Sequence, residues 1–210
     1  MDWNFETLGA AQRYKLLVSL VVPRPIALIT SLGASGVVNA APFSFFNVLG
    51  DDPPIVIVSI EPRGPVAPKD SNRNIEAGGE FVVNLVDESI VERMHACSYE
   101  LPPEQSEAEM VGFTLAPSHA VKPPRIVEAP AALECRLFQT IELPKRRLYI
   151  GEVLWLHARE GLVDPATLRV NMDDYFPVGR LFANQYCRTR ERFAVEDKQY
   201  LEAMQRLGRL

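Results

Sequence analysis

Thr30, Ser31, Asn39, Ser44 and Asn47 interrupt an otherwise apolar stretch that runs from Pro23 to Asn47, PRPIALITSLGASGVVNAAPFSFFN. In a plain core segment such side chains cost stability unless something hydrogen-bonds to them. A second polar block, Lys69-Asp70-Ser71-Asn72-Arg73-Asn74, opens a short helical pattern in which Asp70 or Ser71 is a good N-cap. Neither block contains a residue that stands out as a catalytic acid or base. The chemistry these residue types offer is hydrogen bonding to hydroxyls and amides together with a cation.

Taken singly, each of these residues has an ordinary structural reading. Thr30 and Ser31 are strand-end hydroxyls, Lys69-Asp70-Ser71 is an exposed helix cap, Phe43, Phe45 and Phe46 are core aromatics, and Arg24 between two prolines is solvated or ion-paired. The cysteines, Cys97, Cys135 and Cys187, are odd in number and far apart, and His95, His119 and His157 are equally scattered. A structural zinc site needs closely paired ligands, so no metal is expected. No GxGxxG follows a first strand and no GxxxxGK[ST] occurs, which disfavours a Rossmann fold and a P-loop.

The elements that must position the polar blocks are mostly strands. The first twenty residues pattern as a helix capped by Thr7 and ended by Pro23 and Pro25. Ile26 to Ile29 and Val37 to Ala41 form a hairpin around the turn Leu32 to Gly36. Asp51-Asp52-Pro53-Pro54 is a turn, Ile55 to Ile60 a buried strand, and Glu61 to Pro68 a Pro/Gly loop. The helix from Lys69 stops at Gly78-Gly79, Phe81 to Val86 is a strand, and Asp87 to Ser98 is helical in spacing. Leu101 to Met110 reads as an exposed acidic loop. Ala132 to Leu143 and Leu148 to Ala158 are strands joined by a basic turn, with Gly151 marking a bulge or bend, and Glu191 to Leu210 is a mixed-charge helix. Strands with local turns and no βαβ alternation predict a mainly β, antiparallel barrel. The 210 residues suit one domain, with a core over about 20–187 and a helical tail over 191–210. A net charge of −5 without basic runs argues against nucleic acid, and no apolar run is long enough for a membrane helix. With no signal-peptide layout at the N-terminus, the expected location is cytoplasmic.

The order and spacing of RPIALITS, GVVNAAPFSFFN, DDPP with its following apolar strand, and KDSNRNI…GGEFVVN resemble the flavin reductase-like, FMN-binding split-barrel family. A weaker echo follows in YIGEVLWLHARE and PVGRLFANQYC, and the likeness covers most of Leu20 to Cys187. Ser71 stands where Thr is commoner, which keeps the hydroxyl, and Leu28 where others carry Val or Trp. The resemblance implies a six-stranded antiparallel Greek-key barrel, a homodimer, and FMN near the dimer interface. It further implies that Thr30, Ser31, Lys69, Asp70, Ser71 and Asn74 surround the ribityl phosphate, at a helix start that attracts anions. Ala41, Pro42, Phe43, Ser44 and Phe46 would border the isoalloxazine, Asn47 would bond its ring or tail, and Arg24 would reach the phosphate or the reduced ring. His157 is the implied nicotinamide contact; Arg180 and Tyr186 are either interface packing or a lid.

The implied activity is hydride transfer from NADH or NADPH to FMN, with reduced flavin passing electrons to a partner monooxygenase, another protein or a small molecule. Two other roles stay open at this level. One is a flavoredoxin-like electron carrier reduced by a partner protein; the other is a non-catalytic FMN-binding module.

Overall fold

The computed structural model describes residues 1–62, 68–195, 197–207 and 209. Helix α1 (Ala10–Leu20) leads into strands β1 (Ala27–Leu32), β2 (Val38–Phe43), β3 (Phe46–Asp51) and β4 (Pro54–Ile60). Helix α2 (Asp70–Gly78), strand β5 (Glu80–Leu85) and helices α3 (Val91–Ala96) and α4 (Glu107–Met110) follow. Short strands β6 (Leu115–Ala116) and β7 (Arg125–Ile126) precede the long hairpin of β8 (Ala131–Leu143) and β9 (Arg146–Ala158). Strands β10 (Val178–Arg180) and β11 (Tyr186–Arg188) and helix α5 (Lys198–Arg206) complete the described chain.

The main sheet has the order β2-β1-β5-β8-β9-β4-β3, antiparallel throughout. Its two outermost strands, β2 and β3, are consecutive in the chain and joined only by Ser44 and Phe45. The sheet therefore has to curl until its edges meet, while β2 and β3 remain unpaired with each other, which is a split barrel. Seven strands rather than six build this sheet because the segment after Phe46 continues as β3 and pairs with β4 from Phe46↔Val58 to Asp51↔Pro54.

Alternation along the strands divides the apolar side chains between two clusters. Ala27, Ile29, Val56, Val58, Ile60, Phe81, Val83 and Tyr149 fill the barrel interior, while Leu28, Ile26, Val86, Met94, Phe113, Ile126 and Val178 form a second layer outside it. Gly151 lies within β9 at a bulge, opposite the extra residue of β8. A Cβ there would sit 2.4 Å from the Phe81 ring, so the ring packs on bare backbone, and the register shift falls on β8 opposite, between Leu137 and Gln139.

Other expectations change as well. Helix α1 begins after Gly9, not Thr7, and buries only Val18. Lys69, rather than Asp70 or Ser71, flanks α2, and its N–H donates to Asn72 Oδ1 at 3.2 Å. The acidic segment is not an exposed loop, because Ser106, Glu107 and Ala108 are buried at α4. The tail helix is confined to α5 and buries none of its residues; positions 196, 208 and 210 of the expected span lie outside the described residues. So do positions 63–67 of the Pro/Gly loop. Among the described residues no helix is long and apolar enough to cross a membrane.

Candidate functional site

The first polar corner forms where α2 meets β1 and β2. Ser31 and Asn39 are paired across the two strands. Asn74 Nδ2 donates to Ser31 Oγ at 3.2 Å, and Asn39 Nδ2 donates to Ser71 Oγ at 3.0 Å. Asn72 is fully buried and donates to the Tyr149 hydroxyl at 2.9 Å, which docks α2 onto the barrel interior. Burial, with help from Glu76, pushes the Tyr149 phenol up to about 12, so it stays neutral and serves only as a link.

A hydroxyl that accepts from an amide still has its own proton to give. Ser31 and Ser71 are each in that position, whereas Thr30 is not: its Oγ1 donates to Pro124 O at 2.6 Å and accepts from Asn84 at 3.2 Å. Thr30 thus faces the outer layer and serves the fold. Beside the two serines lies a cleft of about 660 Å³ whose walls include Asn39, Asp70, Arg73 and Asn74. Arg73 ion-pairs with Asp70. The far wall is the acidic segment, through Pro102, Pro103, Gln105 and Glu107, with Glu107 Oε2 accepting from the Ala40 N–H at 3.0 Å.

A second cleft, of about 320 Å³, opens at the β2–β3 turn and is lined by Arg24, Pro42, Phe43, Ser44, Arg180 and Tyr186 among others. The Arg24 guanidinium is largely occupied, donating to Val18 O at 2.6 Å, to Val21 O at 2.8 Å and to Leu181 O, with Ser44 Oγ at 3.4 Å. It therefore closes the C-terminal end of α1 while walling the cleft. Tyr186 OH meets His95 Nδ1 at 2.8 Å and receives the Arg180 guanidinium, and burial raises its pKa. The two clefts adjoin at one contact: Lys69 Nζ lies 5.8 Å from the Phe43 ring centroid, with Phe43 in the second cleft and Asp70, next to Lys69, in the first.

Ser31, Lys69, Asp70, Ser71 and Asn74 therefore come together, and Arg24, Pro42, Phe43 and Ser44 form a neighbouring group. Ala41 is half-buried on β2, while Phe46 and Phe43 both pack into the barrel interior. Asn47 stands exposed on the edge strand β3, bonded to the Val48 N–H at 2.9 Å. His157 is elsewhere. The register Pro42↔Leu28↔Asn84↔Ala132↔His157 places it on β9, on a different part of the curled sheet from the β1–β2 hairpin. Its Nε2 is held 2.5 Å from the buried carboxylate of Glu134, and it lines neither cleft of the chain. Glu107 and Arg73 were missed. The Ser106-x-x-Glu109 spacing, a capping-box signature, was the signal for α4; Ser106 Oγ indeed accepts from the Glu109 N–H at 3.4 Å.

The chain belongs to the flavin reductase-like domain family, whose profile matches residues 19–179. It is 42% identical to the 2-nitrobenzoate 2-nitroreductase of Pseudomonas fluorescens, over 93% of this chain and 95% of that one, with a TM-score of 0.86. It is 33% identical to nitrilotriacetate monooxygenase component B of Bacillus cereus, covering 93% and 98%, with a TM-score of 0.88. An uncharacterized protein of Aquifex aeolicus is 39% identical over 175 residues, 83% of this chain and 89% of that one. The chain is thus a flavin-related oxidoreductase by family.

The donor set of the first corner suits FMN. Ser31 and Ser71 keep protons to give, Lys69 brings a cation, and α2 is nine residues long with its N-terminus at the corner. Asp70 does not oppose a phosphate as a lone charge, because Arg73 neutralises it.

Proposed function

We propose that the protein is an FMN-dependent oxidoreductase that accepts hydride from NADH or NADPH. The observation that carries this reading is the pair of serine hydroxyls with unspent protons beside Lys69, joined through Phe43 to the Arg24–Tyr186 cleft. Lys69, Ser31, Ser71 and the α2 N-terminus hold the cofactor phosphate. Pro42, Phe43 and Ser44 orient the ring through backbone and an apolar wall. FMN, when bound, supplies the two-electron chemistry, taking hydride from the nicotinamide and leaving it oxidised. Arg180 and Tyr186 line the same cleft and help to close it against water.

The protein acts as a homodimer in this reading. Helix α1 exposes Tyr14, Leu17, Leu20 and Val21, and β3 exposes Val48 and Leu49, an amount of apolar surface that suits a subunit contact. A partner monooxygenase that consumes reduced flavin, as the name of the Bacillus cereus relative suggests, is one fate for the electrons. A second fate is favoured by the second cleft itself. It sets two guanidinium groups, Arg24 and Arg180, among Phe43, Phe182 and Tyr186, a lining that suits an aromatic carboxylate, and the relative at 42% identity reduces one. Steady-state oxidation of NADH and NADPH with and without added FMN, and with 2-nitrobenzoate as acceptor, tests both. FMN-dependent oxidation supports the first reading and added turnover with 2-nitrobenzoate the second; no oxidation under any condition contradicts both and favours an electron carrier or binding module.

A further inference from the structure

Away from both clefts, a pocket of about 340 Å³ is lined by Arg125, His157 and Arg159 together with apolar residues such as Val127, Ala129 and Leu156. It shares no lining residue with either cleft. Arg125 Nε is buried there without a hydrogen-bond partner. Among the described residues the Arg125 side chain makes no hydrogen bond or ion pair at all. Buried donors are almost always satisfied, so an orphan of this kind marks a missing partner.

The surroundings hold Arg125 in place. Thr30 Oγ1 donates to Pro124 O at 2.6 Å and Asn84 Oδ1 accepts from the Ile126 N–H at 2.8 Å, which clamps the residues on either side of Arg125 to the sheet. Both clamping side chains are fully buried. The other basic groups are anchored and answered. His157 Nε2 meets Glu134 Oε1 at 2.5 Å, and Arg159 bonds Asp87 Oδ2 at 3.2 Å and Asp174 O at 2.8 Å. Glu134 and Asp87 therefore partner His157 and Arg159, and among the described residues Arg125 is left without a partner in this pocket.

We propose that this pocket binds a small oxyanion, the carboxylate or phosphate group of a metabolite, with Arg125 as its charged anchor. A guanidinium fork pairs with either head group through two parallel hydrogen bonds, and the volume suits a small molecule. Because the pocket shares no lining residue with either cleft, its ligand is distinct from the flavin proposed there.

Calorimetric titration of FMN-loaded protein with inorganic phosphate, and separately with acetate, at constant ionic strength tests the proposal. FMN loading keeps the Lys69 corner occupied, and a Lys69→Ala background removes it as a competing anion site. At least one anion binds saturably, tenfold or more weakly in Arg125→Ala, less so in Arg125→Lys, and unchanged in Arg136→Ala. Arg125→Met, which keeps the apolar stem, shows the same loss and guards against a folding artefact. Phosphate alone binding identifies a phosphate site, acetate alone a carboxylate site, and either supports the proposal. No saturable binding of either anion, or binding that survives in Arg125→Ala and Arg125→Met, overturns it.

Discussion

Two neighbouring residues, Thr30 and Ser31, show why a residue type does not settle a role. They share a strand and both are fully buried, yet alternation sends them to opposite faces. The Ser31 hydroxyl accepts from Asn74 and keeps its proton; Thr30 gives its proton to Pro124. Thr30→Val is therefore expected to lower unfolding free energy by about 1–3 kcal/mol and leave FMN affinity unchanged. Lys69→Ala is expected to do the reverse, whereas Ser71→Ala is expected to weaken FMN and also to lower stability, because it strands the buried Asn39 amide. Lys69→Ala weakens FMN by about 1.5–3 kcal/mol, on the order of ten- to a hundredfold, with little change in the urea midpoint. Fluorescence titration of FMN beside urea unfolding of each variant checks the set. A Lys69→Ala protein with wild-type affinity removes that residue from the site.

At the scale of elements, the outer layer is fastened to the sheet by buried polar links as well as by apolar packing. Glu134 on β8 is fully buried. Burial alone would raise its pKa, but the N–H groups of His119 and Ala120 and the ring of His157 outweigh it and hold the carboxyl below its ordinary value of 4.5. A depressed carboxyl stabilises the fold above its unfolded pKa, and that contribution disappears as pH falls through the folded value. Stability is thus expected to hold between about pH 7 and pH 5 and to decline below about pH 4.5. Glu134→Gln should be less stable at neutral pH with a shallower acid decline; an identical pH profile contradicts the assignment. On the interior side, Gly151→Ala forces a Cβ against Phe81, also fully buried. It is expected to cost about 1–3 kcal/mol of stability, measured by urea unfolding, and Phe81→Leu should recover part of it.

These elements also mark how far the amino-acid sequence can be read. Strands β1, β2, β4, β5, β8 and β9 are apolar and β-branched with punctuating turns, and their existence was legible. Strand β3 was not, because Asn47, Gly50 and Asp51 break its pattern and only pairing with β4 defines it. Segment 101–110 reads as solvated because its acidic side chains dominate, yet Glu107 turns inward to the Ala40 N–H. The grouping of Ser31, Lys69, Ser71 and Asn74 was visible only through family resemblance, since residues forty positions apart carry no local signal of contact. The surroundings of His157 were hidden for the same reason. A histidine in an apolar strand shows nothing of Glu134, which reaches it across β8 and β9.

For the whole molecule, the curled sheet brings the β2–β3 turn and the start of α2 together, and the surfaces of α1 and β3 remain apolar and exposed. As a homodimer the protein would sediment at about twice its 23.5 kDa chain mass; a monomer at micromolar concentration removes the dimer from the account. Flavin binding and its reduction by a nicotinamide donor are read together by anaerobic titration of the FMN-loaded protein with NADH and then NADPH, followed by visible absorption. One of the two nucleotides is expected to bleach the flavin band stoichiometrically. A bound flavin that dithionite bleaches and neither nucleotide touches would rule out the reductase function proposed above.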